Sequence, residues 1–207
     1  MKRKLAYFLA LCLLLGALGA CNRTNQPPEE TPEPTEKPQT IVKVPEPDQP
    51  PETMSETVNG EEVTLTLVSG SFQRTGGPDF SLYVDKNRYQ VNDVDGCCYI
   101  TTDEGSTYAE IGFRPETDAE TLSAGFLGEY GNLQDSSDLG EQTLGSNTVR
   151  KLAGRTMDSA FEAFLLDTDG GCVTMVVCSS IGDMSPMSAT ATDAVRLVDA
   201  LRTLTLS

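Results

Sequence analysis

Hydrophobic and polar residues alternate with a period of two in several short segments of the chain. This period places apolar side chains on one face of a β-strand and polar side chains on the other. It predicts strands at 63–67, 80–84, 98–100 and 109–113, and further extended segments at 139–144, 148–156 and 160–166. Residues 103–106, Asp-Glu-Gly-Ser, have the composition of a hairpin turn between two of these strands.

A continuous apolar segment at 172–178 is typical of a central strand buried on both faces. The preceding sequence, Asp-Thr-Asp-Gly-Gly at 167–171, predicts the turn that leads into this strand.

Two segments have helical periodicity. Residues 117–120, Thr-Asp-Ala-Glu, have the spacing of a capping box. Leu122, Phe126 and Tyr130 follow at intervals of four, which predicts one helix that ends near Gly131. Residues 188–202 predict a second helix, whose apolar stripe is Ala191, Ala194, Val195, Val198 and Leu201.

The second helix also has charges at i,i+3 spacing. Asp193 with Arg196, Arg196 with Asp199, and Asp199 with Arg202 are predicted to pair on its solvent-facing side. Such pairs contribute only about 0.2–0.5 kcal/mol each to helix stability.

The order of the elements, in which sequentially adjacent strands are interrupted and closed by helices, predicts an α+β fold. We expect a mainly antiparallel, twisted sheet flanked by two helices. The order, and the closing helix with its Leu-Thr-Leu tail at 204–206, resemble the PsbP-like domain of a photosystem subunit and of many bacterial envelope lipoproteins. The resemblance spans about 80–206 and implies a fold and an envelope setting but no functional residue. Many members have a proline and a tryptophan where this chain has Asp-Lys-Asn-Arg-Tyr at 85–89.

The first 21 residues have the pattern of a secretory signal. A basic start, Met-Lys-Arg-Lys, precedes an apolar stretch at 5–18, and Leu-Gly-Ala-Cys at 18–21 resembles a bacterial lipobox. We therefore expect residues 1–20 to be a lipoprotein signal peptide and Cys21 to carry the lipid. An uncleaved transmembrane anchor is the alternative, but the apolar stretch is shorter than the roughly 20 residues that span a bilayer. The protein is then predicted to face the extracytoplasmic side of the cell membrane, attached through Cys21.

Residues 21–56 are predicted to be a disordered linker that begins with the lipidated cysteine. Nine of the 12 prolines lie between Pro27 and Pro51, among Glu, Thr and Gln, so the segment has little apolar surface to bury. Residues 57–207 are predicted to form a single globular domain, since about 150 residues is an ordinary domain length.

The acidic composition disfavours nucleic acid as a partner. Loss of residues 1–20 would leave 12 Lys and Arg against 31 Asp and Glu. Binding to a phosphate backbone depends on basic side chains, which this chain lacks in excess.

No catalytic residue, metal ligand set or cofactor site is predicted. The chain has no histidine, so Ser-His-Asp and Cys-His arrangements are absent. Asp167, Asp169 and Gly170 resemble the opening of a calcium loop, but Gly171 and Cys178 stand where further ligands belong, so a structural turn is preferred. The same interpretation applies to Asp93-Val94-Asp95-Gly96.

Four cysteines lie in the predicted domain: Cys97, Cys98, Cys172 and Cys178. Residues 172 and 178 of one strand are about 20 Å apart, too far for a bridge, and adjacent residues 97 and 98 point to opposite faces. At most one disulfide is therefore expected, from Cys97 or Cys98 to Cys172 or Cys178. Buried thiols that pack as small apolar groups are the alternative.

These observations favour a non-enzymatic, membrane-anchored module that binds or scaffolds an envelope protein or a small apolar ligand. The alternative is a carboxylate-dependent hydrolase of cell-wall or glycan polymers, which would require two carboxyl groups about 5–10 Å apart in an open cleft.

Overall fold

The computed structural model describes residues 50–58, 60–183 and 189–207, which belong to one compact unit at 48–207. The predicted signal peptide, the lipid attachment at Cys21 and most of the predicted linker lie outside the described residues.

Eleven strands form two sheets within these residues. In chain order they are β1 (Thr53–Val58), β2 (Glu61–Ser71), β3 (Asp79–Val84), β4 (Tyr89–Val94), β5 (Cys97–Thr102), β6 (Thr107–Pro115), β7 (Asp135–Leu144), β8 (Asn147–Arg155), β9 (Ser159–Thr168), β10 (Gly171–Ser180) and β11 (Thr205–Leu206). The first sheet has the order β1-β2-β3-β11 and the second the order β4-β5-β6-β10-β9-β8-β7. Every described pairing is antiparallel.

Strand β10 is the centre of the seven-stranded sheet, and all its residues from Gly171 to Ser179 are buried. Its side chains alternate between two hydrophobic cores. Val173, Met175 and Val177 pack in the first core. Cys172, Val176 and Cys178 pack in the second core, on the other face of the sheet. The prediction of a strand buried on both faces is confirmed.

Different elements cover the two faces. Helix α2 (Ala189–Leu201) and the four-stranded sheet contribute Leu197, Leu201 and Leu82 to the first core. Helix α1 (Ala119–Ser123) and a 3-10 helix at Phe126–Tyr130 cover the second core, with Phe126 fully buried there. The prediction of an α+β, mainly antiparallel architecture with two helices is therefore confirmed, although the strands divide between two sheets.

The sequence pattern did not reveal β1, β4 and β11. Strand β1 begins at Thr53, inside the predicted linker 21–56, and its side chains are mostly exposed. Strand β4 is an edge strand with exposed positions at Asn92, Asp93 and Val94, and so has no clear alternation. Pairing with a neighbouring strand, rather than burial, defines these elements.

The first predicted helix is shorter than expected. It ends at Ser123 and is followed by the separate 3-10 helix, because Gly125 leaves the helical region at φ −141°. The cap is Asp118, not Thr117: its carboxylate accepts a hydrogen bond from the Thr121 amide at 2.7 Å. Among the described residues no helix combines the length and hydropathy needed to cross a bilayer.

The β7–β8 turn packs closely against the end of α2. Gly145 has φ +62°, and a Cβ at this position would lie 1.8 Å from the carbonyl oxygen of Arg202. The side-chain amide of Asn147 donates a hydrogen bond to the Leu204 carbonyl at 3.0 Å. Only glycine permits both the left-handed backbone and this close approach.

We expect Gly145→Ala to destabilise the protein more than Gly105→Ala. Gly105 has nearly the same φ, +66°, but no atom within 4 Å of an added Cβ. The left-handed conformation costs about 1–2 kcal/mol for alanine at either site, and overpacking adds about 1–3 kcal/mol at position 145 alone. Urea unfolding of both variants measures the difference. Equal losses would show that the turn does not contact α2.

Candidate functional site

A groove lies between α2 and the β8–β9–β10 part of the seven-stranded sheet, with a volume of about 630 Å³. We call it the α2 groove. Its floor is formed by Lys151, Ala160, Phe161, Glu162, Val177 and Ser179. Its wall is formed by Ala191, Ala194, Val195, Val198, Asp199 and Arg202 of α2 and its C-terminal end.

The wall of the groove is largely apolar and reaches solvent. Four of its residues are alanine or valine, and Val195 is 62% exposed. Exposed apolar surface that is rimmed by polar residues commonly marks a site where a protein or a ligand binds. The groove is therefore a preformed surface for an apolar partner.

Lys151 is the basic residue of the floor. Its ammonium lies 2.9 Å from the Glu162 carboxylate and 5.3 Å from the centre of the Phe164 ring. The side chain of Lys151 is 19% exposed, whereas that of Glu162 is 45% exposed. The lysine stem thus covers the apolar sheet while the carboxylate faces solvent.

A second ion pair lies on the wall. The guanidinium of Arg202 donates to the Asp199 carboxylate at 2.7 Å, as the i,i+3 spacing predicts. Each of the two groove carboxylates thus already has a cationic partner. A glycan hydrolase needs one carboxyl group that holds a proton for the leaving group, and the groove has no carboxyl without such a partner.

The opposite side of α2 carries a buried polar cluster. Asp193 is only 6% exposed and accepts hydrogen bonds from Arg88 Nε and from the Tyr89 hydroxyl, the latter at 2.9 Å. Arg196 lies 3.8 Å from Asp85, and both of these side chains are mostly buried. The predicted pairs of Arg196 with Asp193 and Asp199 are therefore wrong, since both inward-facing residues pair with the segment between β3 and β4.

This cluster attaches α2 to residues 85–89. The amide of Asn87 donates to the Asp85 carboxylate at 3.1 Å, and the amides of Arg88 and Tyr89 donate to the Asp85 carbonyl at 3.0 and 2.9 Å. The turn is thus ordered by Asp85 and presents its side chains to the helix. The buried position of Asp193 could have been predicted from its spacing to Leu197 and Leu201, because residues at i, i+4 and i+8 lie on the same face of a helix.

The cluster shifts the ionisation of its members. The hydrogen bond from Arg88 to Asp193 raises the pKa of the arginine, although partial burial opposes this. Burial, and then the hydrogen bond to Asp193, raises the pKa of the Tyr89 hydroxyl. Both groups therefore remain protonated donors at neutral pH and hold α2 in one position.

All four cysteines of the described domain are free. Cys98 faces the first core, while Cys172 and Cys178 face the second. Cys97 lies on the same face as the latter two, but β6 separates β5 from β10, so two strand spacings, about 9.5 Å, divide them. A bridge tolerates at most about 7 Å between Cα atoms. The disulfide considered from Cys97 or Cys98 to Cys172 or Cys178 is accordingly not formed.

The buried thiols have low reactivity at neutral pH. Burial raises the pKa of Cys98 to about 11 and that of Cys172 to about 12. A thiol reacts as its thiolate, which is scarce at neutral pH when the pKa is this high. These cysteines act as small apolar side chains in the two cores.

The acidic turns have structural roles. One Asp167 carboxylate oxygen accepts a hydrogen bond from the Ala119 amide at 2.6 Å, across the second core, and Gly170 turns the chain at φ +105°. Asp95 and Gly96 form the β4–β5 turn at positive φ. Among the described residues, no three potential ligands converge on a point that could hold a metal ion.

A second polar and aromatic surface lies on the other face of the seven-stranded sheet. Tyr99 and Tyr108 are half-buried with ring centres 6.2 Å apart, and Tyr130 packs against Phe161. Burial and the nearby Glu110 carboxylate raise the pKa of Tyr99 to about 12. Tyr108 and Tyr130 pack against the second core, and this surface has no concavity comparable to the α2 groove among the described pockets.

We expect Asp193→Ala to destabilise the protein by about 3 kcal/mol, because it leaves the buried Tyr89 hydroxyl and the Arg88 guanidinium without their acceptor. Asp199→Ala is the matched control, since it also removes an α2 carboxylate paired with arginine, but at an exposed site where such pairs contribute at most about 1 kcal/mol. Chemical denaturation measures both. Equal effects would contradict the role given to Asp193.

No protein-family model matches this chain, and no curated protein matches it either. Functional conclusions therefore depend on the geometry of the α2 groove and on the residues that form it.

Proposed function

We propose that this protein is a lipid-anchored extracytoplasmic binding module with a PsbP-like domain, and that it binds its partner or ligand in the α2 groove. The single observation that carries the proposal is an open groove of about 630 Å³ whose α2 wall is largely apolar and whose lining includes four charged side chains.

The anchor is supported by the sequence. The basic start, the apolar stretch and the Leu-Gly-Ala-Cys ending match a lipoprotein signal, and Cys21 is the residue to be lipidated. Two acyl chains give stable attachment where one gives only reversible binding. The Pro-rich segment then separates the anchor from the domain, which it enters where the Tyr83 hydroxyl donates to the Pro51 carbonyl at 2.7 Å.

A binding role agrees with the chemistry of the groove. Ligand sites are commonly concave and apolar with a few polar groups, in volumes of about 300–1,000 Å³. The α2 groove has this composition, with Lys151 and Glu162 on its floor and Asp199 and Arg202 on its wall. The PsbP-like assignment is supported by the antiparallel strands and by the closing helix α2 followed by β11.

Metabolic labelling with a palmitate analogue tests the anchor. We expect the wild-type chain to be labelled, Cys21→Ala to be unlabelled, and Cys12→Ala to be labelled like wild type, because Cys12 lies within the predicted signal. Mass spectrometry of the mature chain gives its first residue. Labelling that persists in Cys21→Ala would contradict the proposed anchor.

Binding of an uncharged solvatochromic dye tests the groove. We expect the full chain in zwitterionic nanodiscs to bind the dye above the level of empty nanodiscs, and Val195→Lys to weaken this binding about tenfold, because it places a charge on the apolar wall. Val94→Lys is the matched control: Val94 is 51% exposed on the edge strand β4, outside the groove. The groove assignment fails if both variants bind the dye as wild type does.

A further inference from the structure

Among the described residues, none covers the part of the seven-stranded sheet that lies beside α2. On the face that carries the first core, Lys151 and Ala153 of β8 and Ala160 and Glu162 of β9 are only half-buried, whereas Val177 of neighbouring β10 is buried. Sheets in stable domains bury an apolar face against helices or a second sheet. Within the described ranges, no helix on this face covers β8.

The dimensions of the groove suit one helix. The wall extends from Ala191 to Arg202, which at 1.5 Å per residue is a length of about 16 Å. Ala191, Val195, Val198 and Arg202 follow one another at helical spacing and face the uncovered strands. An amphipathic helix can dock in such a groove through apolar residues at i, i+3, i+4 and i+7.

The net negative charge of the domain indicates the sign of the charge on the partner. Residues 50–207 contain 25 Asp and Glu but nine Lys and Arg, and seven of these nine are ion-paired within the described part of the chain. At the groove, the carboxylates of Glu162 and Asp199 are 45% and 36% exposed, and their partners Lys151 and Arg202 are 19% and 58% exposed, so the excess negative charge comes from the surrounding domain. Asp158, at the β8–β9 turn, is also exposed. Complementary potentials favour a positively charged partner.

We infer that the α2 groove binds a basic amphipathic helix of a partner protein. The apolar side of that helix covers Val195, Val198 and Ala160, and its lysines or arginines reach Glu162, Asp199 and Asp158. The inference rests on the proposed function of the groove and specifies its occupant.

The test uses two labelled 14-residue model helices and the full chain in zwitterionic nanodiscs, with empty nanodiscs as the blank. Both helices carry leucines at i, i+3, i+4 and i+7. One has lysine and the other has glutamate at the polar positions. Fluorescence anisotropy measures binding. We expect the Leu/Lys helix to bind, to displace the uncharged dye, and to bind more weakly at high salt because exposed charges are screened, while the Leu/Glu helix does not bind.

Three variants locate the interaction. Val195→Lys should weaken binding of the Leu/Lys helix at least tenfold, and Val94→Lys, which adds the same charge elsewhere, by less than twofold. Glu162→Gln should weaken binding of the Leu/Lys helix, because it removes one of the carboxylates that the lysines reach. Circular dichroism and unfolding midpoints confirm that each variant is folded.

The outcomes distinguish a failure of the inferred partner helix from a failure of the proposed binding groove. If the dye binds in the groove but the Leu/Lys helix does not displace it, the inferred helix is wrong and a small apolar ligand becomes the occupant. If Val195→Lys and Val94→Lys weaken helix binding equally, the contact is nonspecific attraction and the inference is overturned. If neither probe binds, the proposed binding role of the groove fails as well.

Discussion

Burial of β10 on both faces is the constraint on which the rest of the domain depends. Its side chains enter two separate cores, so the strand is stable only while each face of the seven-stranded sheet is covered. Helix α2 and the four-stranded sheet cover one face, and α1 with the following 3-10 helix covers the other. The burial of nine residues of one strand thus determines the layers around it.

The position of α2 within its layer gives the domain a surface that another molecule can use. Leu197 and Leu201 hold the helix on the sheet, and Asp193 and Arg196 attach one side of it to residues 85–89. Because the helix is pinned on that side, its other side stands away from β8 and β9 and forms the wall of the groove. The same helix therefore covers the first core and lines the α2 groove. The polar cluster determines which side of the helix faces residues 85–89 and which side faces the groove.

Local periodicity predicted the strands and the helix that bury one or both of their faces in a core. The strands at 63–67, 80–84 and 172–178 and the closing helix have clear apolar patterns, and each is present. Strands β1 and β4 lack such a pattern because they lie at sheet edges with exposed side chains. The division into two sheets also has no local signal, since it depends on which distant strands pair.

The candidate site was predictable only in part. The stripe of α2 indicated a helix that packs on the sheet. Of its apolar residues, Ala194 and Val198 pack against the first core and also line the groove, whereas Ala191 and Val195 line the groove. Asp193 was interpreted as a solvent-facing residue because charged residues are rarely buried. Its partners Arg88 and Tyr89 precede it by more than a hundred residues, so no spacing rule connects them.

Native-state hydrogen exchange of α2 in the ligand-free full chain tests most directly whether the groove is preformed. The account predicts that the amides of Leu197, Val198 and Leu201 are protected to within about tenfold of those in β10, since both elements share the first core. Exchange of these helix amides near the rate of an unstructured peptide, while β10 stays protected, would show that α2 is not held against the sheet and would contradict the account.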